Sequence, residues 1–275
     1  MRIRSAVSLV AVVTLLGCGM APQPGEGASG PLTFEQFRAA AYQEPDTGVF
    51  ITNGDELAET EADLLAAYDR FLGEQASEDA APLDPQPLCV NTVNGADDRW
   101  AAATAGNITY CISQSSFGSR YAAVVTAMTN AAAAWEGTAN VNFVHVSSAD
   151  GNCSSRTTSV VFNVRQVTTT QYLARAFFPS TTRKSREVLI STSSFGNITP
   201  YTLEGVLRHE LGHTIGFRHE HTRPESGACF EDNNWRALTS YDAASVMHYP
   251  QCNGSNKGDL VLTSLDKTGA RSLYP

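Results

Sequence analysis

At 275 residues the chain is long enough to bury one large core or two smaller ones. Its 42% hydrophobic and 17% charged residues are those of an ordinary globular protein. A net charge of −9, without a run of Lys or Arg, argues against nucleic acid as a partner, because phosphate binding needs clustered cations. The charge is unevenly placed: up to Ala96 there are 14 Asp/Glu against 4 Lys/Arg, and beyond it 14 against 15.

The chain opens like an export signal. MRIR gives a charged start, and Ala6 to Leu16 is an apolar run too short to span a bilayer. Leu15-Leu16-Gly17-Cys18 resembles the lipobox of bacterial lipoproteins. That resemblance implies a signal peptide over 1–17, cleavage before Cys18, and a lipid on Cys18 that anchors the chain to a membrane outside the cytoplasm. Gly19, where an Asp would retain a lipoprotein at the inner membrane, favours the outer membrane or cell surface. The alternative is a plain signal peptide with a chance cysteine.

Residues 18–32, rich in Gly and Pro, read as a tether. Thr33 then precedes FEQFRAAAY with Gln36 placed as a capping-box partner, and Phe34, Phe37 and Ala41 recur at helical spacing. A second helical pattern carries Leu57, Leu64, Leu65, Tyr68, Phe71 and Leu72. Residues 33–73 are thus expected to form a two-helix segment, and the Pro- and acid-rich residues 74–96 a linker.

From 97 to 275 the pattern is mixed. NITYCIS, VNFVHVSS, SVVFNVRQV, ARAFFPS and REVLISTS read as strands, being short and rich in β-branched or aromatic residues. SRYAAVVTAMTNAAAAWEG reads as a long helix, from its Ala content and the spacing of Tyr121, Val124, Val125, Met128, Ala132 and Trp135. In TPYTLEGVLRHELGHTIG, Thr199 is the expected cap, Pro200 the first helical residue and Gly216 the stop. Beyond Cys18, five cysteines remain: Cys89, Cys111, Cys153, Cys229 and Cys252. In an oxidising compartment they predict two disulfides and one free thiol, with Cys229–Cys252 the preferred pair because both fall in the C-terminal region.

Four of the six histidines fall within HELGHTIGFRHEH, from His209 to His221. On a helix His209 and His213 share a face and can hold one ion, while Glu210 projects beside it. A turn at Gly216 brings His219 to the same ion. Three imidazoles leave a fourth position for water, as in a catalytic zinc site, where the metal draws the water's pKa toward about 7 and Glu210 can take its proton. His145 and His221 carry no such role and read as surface or packing histidines.

HELGHTIGFRH fills H-E-x-x-H-x-x-G-x-x-H and so resembles the metzincin signature. Ser245-Val246-Met247-His248-Tyr249 resembles the Met-turn in its astacin form, and Glu220 followed by HTRPE resembles the astacin segment there. Over roughly Trp100 to Pro275 the chain is similar to the bacterial dual-action HEIGH metallopeptidases, with Leu211 where the family name has Ile. The resemblance implies an α+β, zincin-like catalytic domain over 97–275. It should have a twisted, mostly parallel sheet, a backing helix, a zinc helix and an irregular C-terminal subdomain. It implies one zinc ion on His209, His213 and His219, with Glu210 as base, Met247 as an apolar floor and Tyr249 within reach of the metal. The implied reaction is endopeptidase cleavage of peptide or protein substrates. ARAFFPS would be the edge strand that substrate joins, or else an internal strand. A catalytically inactive metallopeptidase-like binding lipoprotein is the alternative, as is a metal-storing surface lipoprotein.

Astacins also carry a pro-segment whose Phe-x-Gly-Asp motif places an aspartate on the zinc. Here Gly54-Asp55 is present, but Phe50 stands two residues too early. Asp55 is therefore a candidate switch ligand or a turn residue before the Leu57 pattern, and Cys89 is a further candidate as a thiolate switch.

Overall fold

The computed structural model describes residues 32–75 and 88–275. Residues 1–17, Cys18, the tether to residue 31 and linker residues 76–87 lie outside the described residues.

Thr33 and Gln36 exchange side-chain and backbone hydrogen bonds, and this capping box starts α1 (Phe34–Ala40). The next elements correct the two-helix expectation. β1 (Tyr42–Gln43), β2 (Phe50–Thr52) and β3 (Glu56–Ala58) form an antiparallel sheet in chain order before α2 (Glu61–Gln75). Leu57 belongs to β3, not to the helix. Strands of two or three residues are too short to display a period of two, so backbone pairing rather than pattern defines them. Phe37, Phe50, Ala58 and Leu64, with Tyr68 and Phe71 against them, make a small core of their own.

Residues 88–96 are not linker. β4 (Cys89–Val93) and β5 (Ala96–Asp97) pair antiparallel across Asn94-Gly95, whose φ values of 52° and 76° are the positive pair that a tight hairpin needs. After α3 (Ala102–Ala105) come β6 (Ile108–Ile112), α4 (Gln114–Phe117), α5 (Tyr121–Glu136), β7 (Phe143–His145), β8 (Phe162–Val167), β9 (Ala174–Arg175) and β10 (Glu187–Ser191). The central sheet runs β7-β6-β8-β10-β9, parallel throughout except for β9. This is the α+β, mostly parallel architecture expected. ARAFFPS shrinks to two paired residues, and they stand at the sheet's edge.

One face of the sheet is covered by α5, which buries Val124, Met128, Ala131, Ala132 and Trp135, and by α6 (Leu203–Thr214). Ala at successive turns of α5 lets the two helices approach, and the Trp135 indole N–H donates to Arg208 O at 2.8 Å. The cap of α6 is Thr202 rather than Thr199: its hydroxyl lies 3.0 Å from Gly205 N, three residues on, where a capping oxygen must reach. β11 (Trp235–Ala237) pairs with β4, and α7 (Ser264–Leu273) closes the chain behind a Thr263–Asp266 capping box. Most of the rest of the C-terminal part is irregular. Disulfides join Cys111 to Cys153 and Cys229 to Cys252; among the described residues Cys89 is the unpaired cysteine, and it is buried.

Candidate metal centre

His209 and His213 stand one turn apart on the buried face of α6. The helix ends at Thr214, and just past its cap stands Gly216, whose φ of +99° and whose position against Asp98 O leave no room for a side chain: a Cβ there would lie 2.2 Å from that oxygen. The chain turns back at this point and delivers His219. The three ring Nε2 atoms and a carboxylate oxygen of Asp55 fall within 4.8 Å of one another, all buried.

The other nitrogen of each ring is already engaged. His209 Nδ1 lies 2.8 Å from Val246 O, His213 Nδ1 2.7 Å from Phe217 O, and His219 Nδ1 2.5 Å from Glu231 Oε1. Each Nδ1 therefore carries the proton and donates, which leaves three Nε2 lone pairs facing inward. The Nε2 atoms of His209 and His213 are 3.2 Å apart, a repulsive contact for two lone pairs unless they share a cation. His219 Nε2 and Asp55 Oδ1 are buried without a hydrogen-bond partner; they lie 3.1 Å apart, but not in hydrogen-bond geometry. Three imidazole acceptors and a carboxylate, all buried, are the donor set of a divalent transition metal, and the residues fit one.

Around this point sit the remaining expected residues. Glu210 is buried, and its Oε2 has no partner. The Tyr249 ring lies 5.4 Å from that of His209, and its hydroxyl donates to Asp55 Oδ2 at 2.5 Å. Met247 is fully buried under α6, so close that a Cβ on Gly212 would come within 2.4 Å of its sulfur. Ala174 of β9, His209, Glu210 and Tyr249 line one cleft, and the Gly54–Asp55 tip enters it. Gly54, at φ +94° and with Tyr249 Oη 3.0 Å from where its Cβ would be, is what permits that entry.

The electrostatics follow from burial among these groups. Burial, then the neighbouring Asp55 carboxylate, pushes the Glu210 carboxyl well above its usual range. Burial works against ionised Asp55 too, but His219 and His213 outweigh it and hold the group well below its usual range. Burial lowers His209 to about 4 and His221 to about 3.

Of the two roles expected for His221, surface or packing, it takes the packing one: it is 1% exposed and stacks on His219 at 4.5 Å between ring centres. Cys89 does not join the ligand cluster. Its thiol donates to the backbone oxygen of His219 at 3.2 Å, and burial and Glu220 raise its pKa well above the ordinary thiol value. Glu231, by contrast, went unseen in the sequence, since nothing in its irregular surroundings marks a contact with His219.

Residues 101–274 match the family model described as dual-action HEIGH metallo-peptidase. Over 92 residues, 26% of this chain and 15% of the relative, the sequence is 35% identical to blastula protease 10 of Paracentrotus lividus. Over 81 residues, 22% of this chain and 13% of the relative, it is 32% identical to protein SpAN of Strongylocentrotus purpuratus. The chain thus spans only a small part of these two relatives. Among solved structures it is similar to myroilysin, with a TM-score of 0.44 and 19% identity over 68% of this chain and 98% of that one.

Proposed function

The chain belongs to the dual-action HEIGH metallo-peptidase family, and from that premise we propose that it is a zinc-dependent endopeptidase, held latent in this form by its own N-terminal segment. The observation that carries the proposal is the convergence of three Nε2 lone pairs beside a buried, partnerless carboxylate oxygen of Glu210.

His209, His213 and His219 would hold the ion, which when bound supplies Lewis acidity toward a water and a substrate carbonyl. Met247 keeps α6 from sinking and so fixes where the first two rings point. Glu210 takes the proton of the attacking water and returns it to the departing amine. The Tyr249 hydroxyl donates to the carbonyl oxygen as negative charge builds there. β9 is the last strand of the sheet, and the outer backbone groups of Ala174 and Arg175, buried in this latent form, are those that an extended peptide would join as a further strand.

Asp55 blocks all three roles at once. Its carboxylate faces the three imidazoles, accepts the hydrogen bond of the Tyr249 hydroxyl and adds to burial in raising the Glu210 carboxyl. The uncleaved protein should bind one zinc per chain and hydrolyse casein little, whereas Asp55→Ala should hydrolyse it without processing and stop when a chelator is added. A protein that binds no zinc, or an Asp55→Ala variant as silent as its parent, would refute the metal or the latency respectively.

We also propose export as a lipoprotein through Cys18. The two disulfides support an oxidising compartment. Among the described residues no helix is long and apolar enough to cross a membrane, so attachment would rest on the lipid. Cys18→Ser should abolish incorporation of labelled fatty acid; labelling that survives rules Cys18 out as the acceptor.

A further inference from the structure

Glu231 lies twelve residues beyond His219, in an irregular stretch just after Cys229. Its Oε1 is shared by two buried rings: His219 Nδ1 at 2.5 Å and His221 Nε2 at 3.2 Å. Its Oε2 receives Arg218 Nη2 at 3.0 Å. The His221 end continues inward, because His221 Nδ1 accepts the backbone N–H of Tyr249 at 3.3 Å. That acceptance fixes the tautomer: Nε2 of His221 carries the proton and lies 3.2 Å from Glu231 Oε1. One carboxylate therefore stands behind both the third imidazole of the cluster and, through His221, the backbone of Tyr249.

We propose that Glu231 is the positioning residue of the metal centre, locking the orientation and tautomer of His219 so that its Nε2 faces the ion. The inference rests on the reading of His209, His213 and His219 as metal ligands. Of these, His209 and His213 are oriented by a rigid helix and by backbone carbonyls, Val246 O and Phe217 O. His219 follows the helix end, and its Nδ1 meets a side chain instead. A charged acceptor makes its partner imidazole a stronger donor toward a metal than a carbonyl does. His219, His221 and Glu231 also have the spacing of a second ion site, but that reading fails on occupancy. His219 Nδ1 already donates to Oε1, the protonated Nε2 of His221 stands 3.2 Å from it, and the Arg218 guanidinium on Oε2 fills the place a second cation would need.

The test measures metal binding on the full chain and needs no turnover. Glu231→Gln should weaken zinc affinity about 10–100-fold in chelator competition and shift the visible bands of the cobalt-substituted protein. Glu231→Asp keeps the charge one methylene short and should recover part of that affinity. His221→Phe keeps the stacked ring but not its hydrogen bonds, and should bind zinc within about twofold of the unaltered protein, because Glu231 still holds His219. Unchanged affinity and an unchanged cobalt spectrum in Glu231→Gln would overturn the assignment. So would a His221→Phe loss as large as that of Glu231→Gln, which would trace the effect to disturbed packing. If Glu231→Gln does not fold, Glu231→Asp carries the test, and full affinity there overturns the proposal. Failure of the unaltered chain to bind zinc would instead overturn the three-histidine reading, and this one with it.

Discussion

The N-terminal segment, residues 32–75, and the sheet-and-helix body behind the three histidines are held by different forces. The body rests on a continuous apolar core, from Ile108 and Phe162 of the sheet through Met128 and Trp135 to Leu207, Leu211 and Met247. The segment has a small core of its own, plus apolar contacts with the body: Val49 and Ile51 meet Tyr172 and Leu189, and Leu57 packs against the main core. Its grip on the body is mostly ionic and polar. Glu44 receives Arg175 Nε and Nη2 at 2.9 and 2.8 Å and the Tyr172 hydroxyl at 2.6 Å. Glu56 receives Arg218 Nε and Nη2, both at 3.1 Å, and Arg70 reaches Asp232. Apolar burial is non-directional and gives way gradually, whereas a buried ion pair that loses one partner leaves a costly naked charge. The segment is thus built to hold firmly or not at all.

Changes in either region sharpen that contrast. Glu210→Gln removes the proposed base and leaves the proposed ligands, so zinc should stay bound while kcat in the Asp55→Ala background falls about 10²–10⁴-fold. Activity near the parental level would exclude Glu210 as the base. Glu44→Gln acts on the join between segment and body: with Arg175 left buried against a neutral partner, docking of the segment should weaken by about 3–5 kcal/mol. Hydrogen exchange confined to residues 42–58 would report it, and unchanged protection would show that the apolar contact suffices. Acid should loosen the same hold. Burial raises the Glu44 carboxyl, but its bonds to Arg175 prevail and set it below its ordinary 4.5, so the stabilisation is complete above that pH and is lost as pH falls through the lowered value. Tyr249→Phe should lower kcat by an amount equivalent to roughly 2.7–4 kcal/mol, with KM little changed. A rise in KM alone would make the hydroxyl a ground-state contact.

The metal-centre candidates could be read from the sequence because their spacing is set by local geometry. His209 and His213 are one helical turn apart, Gly216 stops the helix, and Met247 and Tyr249 sit on one tight turn. What escaped notice depends on contacts between distant segments. Glu44 meets Arg175 across 131 residues, and Glu56 meets Arg218 across 162. Neither carboxylate differs in sequence from a solvated one. The hairpin that delivers Asp55 was hidden for another reason: strands of three residues carry too little pattern to compete with a neighbouring helix. Asn94-Gly95 was readable as a hairpin turn, but the acidic stretch before it made the whole region look like linker.

The Cys229–Cys252 disulfide has its own consequence for how the cleft comes together. Glu231 follows one of its cysteines by two residues and Tyr249 precedes the other by three, so the bond staples the segment behind His219 to the segment that carries the tyrosine. Closing a loop of this size is worth roughly 3 kcal/mol through the unfolded chain alone. Before the two thiols are oxidised, those walls are joined only by noncovalent contacts. The bond thus braces two walls of the cleft against each other from a point outside it.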